Sequence, residues 1–416
     1  MGLLVQKFGG TSVADPERIR AVARHVVATR DAGSQVVVVV SAMGRSTDDL
    51  LRLASEVSPA PAARELDMLV TSGERIAMSL LCMAIGDLGA PAISFTGSQA
   101  GILTDSTHGK ARILEVRADR IRDALAAGRV VVVAGFQGMS VDRDITTLGR
   151  GGSDTTAVAL AAAMKADVCE IYTDVAGVYS ADPRVVPSAR RLTTVSFEEM
   201  LEIADTGGKV LALRSVEFAR NHGVALHVRS SFTWEPGTWV RAEQEGDPTV
   251  EQAIVSAVTS DRSEAKVTVV GVPDRPGIAA HLFRALADEA VNVDMIVQNV
   301  SLGGVTEISF TVPSSELAIA ERVTQEVASE IGATGVSSDT GIGRVSLVGA
   351  GMKTHPGVAA TVFEVLAAGG INIEMISTSS IRISCVVRSD ALDGATRALH
   401  TAFELDDPAD SQEAGG

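Results

Sequence analysis

Four short segments of this chain carry the residue types that manage anions. In Val5–Val13 (VQKFGGTSV), Lys7 stands just before Gly9 and Gly10. Consecutive N–H groups of a glycine turn form a nest for an anion. The missing Cβ atoms let a ligand approach the backbone, and the lysine adds a point charge. The Walker pattern GxxxxGK[ST] is absent, and Gly-Gly after a strand is by itself an ordinary turn. In Thr146–Thr156 (TTLGRGGSDTT), Gly149, Gly151 and Gly152 surround Arg150 and lead into the apolar run AVALAAAM. That pattern predicts a helix with Ser153 or Asp154 as its N-cap. A cap accounts for those two residues but not for Arg150, whose planar fork suits a carboxylate. Ile171–Arg184 (IYTDVAGVYSADPR) reads as a strand ending at Thr173-Asp174 and a turn at Asp182-Pro183-Arg184, with Tyr179 able to offer a ring face to a nucleobase. A plain strand and Asp-Pro turn would look the same. Thr206–Leu211 (TGGKVL) could put Lys209 on a phosphate. Glu74, in TSGERIA, follows Asp67 by seven residues on a helical face, where a lone Glu is expected to be solvated. The seven histidines are scattered and form neither HExxH nor a triad, so nucleophilic hydrolysis has no support. Cys82, Cys169 and Cys385 are far apart, which leaves no readable zinc site or disulfide framework.

The elements that must position these residues alternate. Val36–Val40 and Val130–Val133 are uninterrupted valine runs, as expected of parallel strands buried on both faces. Helical patterns cover Pro16–Thr29, Arg64–Leu88 and Arg117–Ala127. This is the signature of a layered α/β domain, expected over residues 1–234. The polar Pro- and Gly-containing segment Glu235–Gly246 marks a boundary, with a linker over 235–252. Beyond it the chain repeats. Asp274–Ile296 (DRPGIAAHLFRALADEAVNVDMI) matches Thr354–Ile376 (THPGVAATVFEVLAAGGINIEMI) at a constant offset of 80 residues. Each copy opens with a strand (Ala265–Val272, Arg344–Ala350), followed by a Pro-Gly loop, a helix, two strands and another helix. Two βαββαβ modules are expected, over 253–340 and 341–405, the second sharing a strand from the linker region. Pro-Gly at both helix starts suits a carboxylate ligand, favouring a small-molecule site between the copies. The tail 406–416 is polar and expected to fray.

Composition narrows the function classes. A chain of 416 residues is long enough for two or three domains, and 46% hydrophobic with 21% charged residues excludes general disorder. The net charge of −16 disfavours nucleic-acid and membrane-surface partners, and 3% aromatics disfavour a base-stacking platform. No basic segment followed by a long apolar one opens the chain, and runs such as Val158–Met164 fall far short of a membrane span. A soluble, cytoplasmic protein is expected.

Taken in order, KFGGTS, SAMG (Ser41–Gly44), TSGER, SFTGSQAG (Ser94–Gly101), GFQG (Gly135–Gly138), TTLGRGGSDTTA and TDVAGVYSADPR resemble the aspartate kinases of the amino-acid kinase family, over Leu4 to about Leu405. The repeats resemble that family's paired ACT domains. The resemblance implies a three-layer kinase domain with a mainly parallel central sheet. It also implies ATP-dependent phosphorylation of the L-aspartate side-chain carboxylate, at the entry to lysine, threonine and methionine synthesis. By matching position, Lys7, Phe8, Gly9, Gly10, Ser41, Thr173, Asp174, Tyr179, Asp182, Arg184 and Lys209 would hold ATP. Thr47, Glu74, Arg150, Gly151, Gly152 and Ser153 would hold aspartate. Lys7, Asp154 and Lys209 would serve catalysis, with Mg²⁺ carried by the nucleotide and no separate protein metal site. Asp274, Ala279, Asn292, Val293, Gln298, Asn372, Ile373, Ser379 and Ser380 would meet threonine or lysine as effectors. The implied assembly is a homodimer through the ACT-like modules, or a heterotetramer with a separately made C-terminal half. No Met lies between Ala242 and Ala257 to start such a copy, although Val250 could serve as a non-Met start. The departures are Gly208 and Ala176, both in turns, and Ser380, where the family usually has an acidic residue. Losing that carboxylate predicts weakened lysine feedback, with threonine sensing retained. Two other readings are a related small-molecule kinase and a catalytically inactive amino-acid sensor.

Overall fold

The computed structural model describes residues 2–242, 254–299, 304–355 and 357–406. It divides into two compact units: Met1–Val178 with Arg191–Asp205 and Lys209–Pro248, and Tyr179–Arg190 with Thr206–Gly208 and Thr249–Gly416.

The first unit is built on an eight-stranded sheet. Its strands are β1 (Leu3–Phe8), β2 (Gln35–Val40), β3 (Ala92–Phe95), β6 (Val130–Ala134), β9 (Val168–Thr173), β10 (Thr194–Ser196), β11 (Leu226–Ser230) and β12 (Thr238–Arg241), in the order β10-β12-β11-β9-β1-β2-β6-β3. Every neighbouring pair is parallel except β11–β12. The valine runs of β2 and β6 are buried throughout, as two covered faces require. Helices α1 (Pro16–Asp31), α2 (Ser46–Val57), α3 (Ala63–Val70), α4 (Ser72–Asp87), α5 (Asp119–Ala126), α6 (Gly152–Met164), α7 (Phe197–Asp205) and α8 (Leu213–His222) belong to the same unit. So does a four-stranded sheet of β4 (Ile102–Thr104), β5 (Ile113–Val116), β7 (Gln137–Ser140) and β8 (Ile145–Thr147), ordered β5-β4-β7-β8.

Three expectations are corrected here. The single helix over Arg64–Leu88 is two, interrupted at Thr71, whose carbonyl accepts the Gln137 side-chain amide (3.2 Å). The stretch 63–87 is long and apolar enough to cross a membrane by length and composition, yet Ala77, Leu81 and Ile85 pack in the core under the sheet. The linker expected from residue 235 is still sheet through Arg241, because Thr238 and Val240 point inward from β12. Pro236-Gly237 marks a tight approach, since a Cβ on Gly237 would fall 1.7 Å from the Val228 carbonyl oxygen. The rest of that linker, including Val250, lies outside the described residues.

The second unit holds two similar modules. In the first, β14 (Glu264–Pro273), α9 (Ile278–Asp288), β15 (Ile296–Gln298), β16 (Val305–Pro313), α10 (Leu317–Ile331) and β17 (Gly335–Asp339) give the sheet order β15-β16-β14-β17. In the second, β18 (Ile342–Val348), α11 (Val358–Ala368), β19 (Met375–Thr378), β20 (Arg382–Arg388) and α12 (Leu392–Ala402) give β19-β20-β18. The remaining place, equivalent to β17, is taken by β13 (Ala257–Asp261), which runs antiparallel to β18 from Ala257↔Val348 to Asp261↔Arg344. Asp406, expected to begin a frayed tail, is held by Ser188 Oγ (2.5 Å) and His400 Nδ1 (3.1 Å); residues 407–416 lie outside the description.

Candidate active site

Strand alternation sends neighbours of β1 to opposite faces of the sheet. Phe8 is fully buried and stacks on Tyr172 (ring centroids 4.8 Å), so it offers a ligand its backbone and not its ring. Lys7 points to the other face, where its Nζ meets Asp154 Oδ1 at 2.6 Å. Each of these side chains is 11% exposed. So dry an ion pair holds both side chains in place, where either charge alone would be heavily penalised.

Lys7 lines a cleft of 310 Å³ at the C-terminal ends of β1, β2 and β6. The chain reverses direction across the sheet between β1 and β9, and open α/β sheets bind ligands in the crevice at such a switch. Gly10 packs backbone to backbone against the segment after β2. A Cβ there would sit 3.0 Å from the Ala42 oxygen and 3.1 Å from the Gly44 oxygen, and the Gly44 amide donates to the Gly10 carbonyl (3.0 Å). Ser41 and Thr47 complete that wall.

Glu74 enters from the first turn of α4. It is 3% exposed, which corrects the expectation of a solvated side chain. Oε1 accepts from the Ala42 amide (3.2 Å), while Oε2 has no hydrogen-bond partner among the described residues. Burial raises its pKa to about 7. A buried, half-satisfied carboxylate on a cleft wall is a seat for an ammonium group.

The opposite wall is Gly149–Asp154, where α6 begins. Gly151 holds the N-cap position at φ +72°, and no side chain caps the helix. Ser153 and Asp154 lie inside the first turn and do not cap it, which corrects the sequence reading. The first amides of a helix lack intrahelical partners, so this end is open to an anion. Arg150 is exposed at the cleft and makes no ion pair among the described residues.

The other expected residues stand elsewhere. Thr173 and Asp174 close β9, across β1 from the cleft, with Thr173 Oγ1 donating to Asp174 (3.1 Å). Lys209 is exposed on the turn between α7 and α8 and is not part of the cleft wall. Tyr179, Asp182 and Arg184 belong to the second unit, where Arg184 pairs with Asp182 (2.6 Å). Also in that unit, Asp274 precedes α9, Ala279 lies in its first turn, Asn292 and Val293 follow it, and Gln298 ends β15. Asn372 and Ile373 occupy the matching loop after α11. Ser379 and Ser380 form the exposed turn between β19 and β20. The residue reading missed Ala42, Gly44 and Phe136, all on the cleft wall. The signal for Phe136 was the GFQG motif. Its φ of +67° and its amide bonded to Thr156 Oγ1 (3.1 Å) turn it toward the start of α6.

Residues 2–230 match the amino acid kinase family, and residues 267–327 and 345–403 match the ACT domain. An α/β domain with a cation-bearing cleft beside its switch point, followed by two ACT modules, defines the class, and the chain belongs to the amino acid kinase family. It is 60% identical over 408 residues to the aspartokinase of Mycolicibacterium smegmatis, covering 97% of both chains. Its fold matches that of E. coli aspartokinase III in complex with aspartate and ADP (R-state), with a TM-score of 0.81 at 26% identity over 96% of this chain and 99% of that one. The same enzyme with lysine and aspartate (T-state) gives 0.73 at 27% identity, with the same coverage. Within its family, the chain takes its place among the aspartate kinases.

Proposed function

We propose that this enzyme transfers the γ-phosphoryl group of MgATP to the side-chain carboxylate of L-aspartate. The products are 4-phospho-L-aspartate and ADP, at the entry to lysine, threonine and methionine synthesis. The observation that carries the reading is one cleft holding a buried Lys7–Asp154 pair, an uncapped helix start and a half-satisfied Glu74. The nucleophile needs no base, because an aspartate carboxyl with a reference pKa of about 3.9 is already ionised. The difficulty is bringing that anion to a polyanion, and catalysis is therefore positioning and charge neutralisation. Lys7 and the first amides of α6 receive the transferred group. Glu74 takes the α-ammonium and Arg150 the α-carboxylate. The nucleotide extends toward Thr173 and Asp174, and Mg²⁺ rides on its phosphates.

Threonine and lysine are the effectors of the ACT modules, with lysine feedback weakened at Ser380. The exposure of that turn supports a role toward an incoming ligand or a second chain and not toward the core. Association occurs through the ACT modules. ADP release measured with aspartate, glutamate, acetylglutamate and a nucleotide as acceptors tests the activity, and turnover with any acceptor but aspartate overturns it. Titration with lysine and threonine, singly and together, tests the regulation. Full inhibition by sub-millimolar lysine alone would refute weakened feedback.

A further inference from the structure

Asp67 lies on α3, only 2% exposed and not part of the cleft wall. Its carboxylate accepts from Thr147 Oγ1 (2.6 Å), from His108 Nδ1 (2.7 Å) and, at both oxygens, from the Gly109 amide (3.2 Å). A carboxylate so far from water persists only where donors surround it. These donors belong to two separate segments, 108–109 and 147, and both segments support the loop that carries Arg150.

The Ala111 amide donates to the Thr147 carbonyl (2.8 Å). A Cβ on Gly149, at φ +78°, would fall 3.1 Å from the Gly109 oxygen, so the loop rests directly on that backbone. From the other side Arg214 donates to the Leu148 carbonyl (3.0 Å) and the Ala111 carbonyl (2.9 Å), joining the same two segments. The Leu148 amide bonds to Phe136 O and the Gly152 amide to Gly149 O, each at 2.9 Å. The backbone on both sides of Arg150 is therefore pinned, while its side chain stays without an ion-pair partner among the described residues.

We infer that Asp67 is a positioning residue for the substrate site: by clamping His108-Gly109 to Thr147 it fixes the loop from which Arg150 reaches the substrate carboxylate. A bidentate fork tolerates little misplacement, so a loosened loop weakens the grip on one substrate and leaves the other alone. Two carboxylates seven residues apart, one on α3 and one on α4, thus serve one site. Glu74 reaches the cleft directly, and Asp67 acts through the Arg150 loop.

The inference rests on Arg150 binding aspartate, and the experiment separates the two claims. Steady-state kinetics are measured on the full chain for Asp67→Asn, Thr147→Val, Arg150→Ala and the double variant Thr147→Val/Arg150→Ala. Thr147→Val removes one hydroxyl at nearly constant volume, so it reports even if Asp67→Asn does not fold. Both single clamp variants are expected to raise KM for aspartate about tenfold, with KM for ATP and kcat held within about twofold. The double variant should be no worse than Arg150→Ala alone, because a clamp has nothing to position once the guanidinium is gone. A normal KM for aspartate in Thr147→Val beside a raised one in Arg150→Ala overturns the positioning role only. Additive effects in the double variant also overturn it. A normal KM for aspartate in Arg150→Ala overturns the role given to Arg150 and the clamp with it.

Discussion

Lys7 and Glu74 occupy one cleft under opposite electrostatic regimes, and that difference sets what each can do. Lys7 is dry but paired, so its charge is available to the transferred phosphoryl group without reorganisation. Lys7→Ala removes that donor and leaves Asp154 facing no cation. We expect kcat to fall by roughly 10²–10³-fold, the loss typical of one preorganised donor, checked by single-turnover ADP formation. Glu74 is dry and half-satisfied, and its pKa is raised to about 7. In the free enzyme it gains a proton as pH falls through 7, whereas the α-ammonium of aspartate keeps its charge over that range. The ionised form is the one that binds ammonium, so kcat/KM for aspartate should fall tenfold per pH unit below about 7. Glu74→Gln should lower kcat/KM at pH 8 by roughly 10–100-fold, the loss of one charged hydrogen bond, and flatten the profile between pH 6 and 8. A wild-type profile that stays flat across that range would refute this role for Glu74.

Helix α6 shows what an element contributes that single residues cannot. Its start must come close to α8, and Gly151 makes that possible. A Cβ there would lie 2.2 Å from the Ala212 Cβ, and φ is +72°. Gly151→Ala should therefore lose at least about 1–2 kcal/mol from the left-handed backbone alone, with the clash added, and should raise KM for aspartate as the helix end retreats. Thermal unfolding and kinetics read the two effects separately. Elements with local causes were legible in the sequence. The all-valine runs gave β2 and β6, and the helical pattern from Pro16 gave α1, whose start the structure shows capped by the Asp15 carboxylate accepting the Arg18 amide (2.8 Å). Elements with distant causes were not. ELDMLVTSGERIAM reads as one helix, and the break is tied to Gly73, whose Cβ would meet the Ala42 Cβ at 2.7 Å. Strand β12 hides behind Pro236-Gly237 because its partners lie in β10 and β11. The motif order located the cleft, yet no local pattern tells a buried Glu74 from a solvated one.

At the scale of the whole molecule, the repeat explains how the second unit holds together. The first module supplies its own last strand, whereas the second borrows β13 from the far side of the first, so the second sheet is complete only because the chain has laid down that strand before passing through the first module. Between the modules Met295, Ile342, Met375 and Val386 form a small apolar core. Beside it Arg344, on β18, is 2% exposed and pairs with Glu264 (2.7 Å) and Asp294 of the first module. Lys266 pairs with Glu374, and Arg388 with Asp339 (2.6 Å). The surface pairs contribute little, but removing one partner of a buried group leaves uncompensated charge. Arg344→Met is expected to destabilise the second unit by about 3–5 kcal/mol at neutral pH, seen by calorimetry as an earlier transition of that unit. The sign of its pH dependence follows from Glu264, whose pKa burial already raises despite the opposing pull of Arg344. Without the arginine that pKa rises further, so the folded state binds a proton at a pH where the unfolded chain does not. The deficit of Arg344→Met should therefore shrink as pH falls from 8 toward 5.5. A deficit that grows on acidification would mean that Glu264 is not the charge Arg344 neutralises.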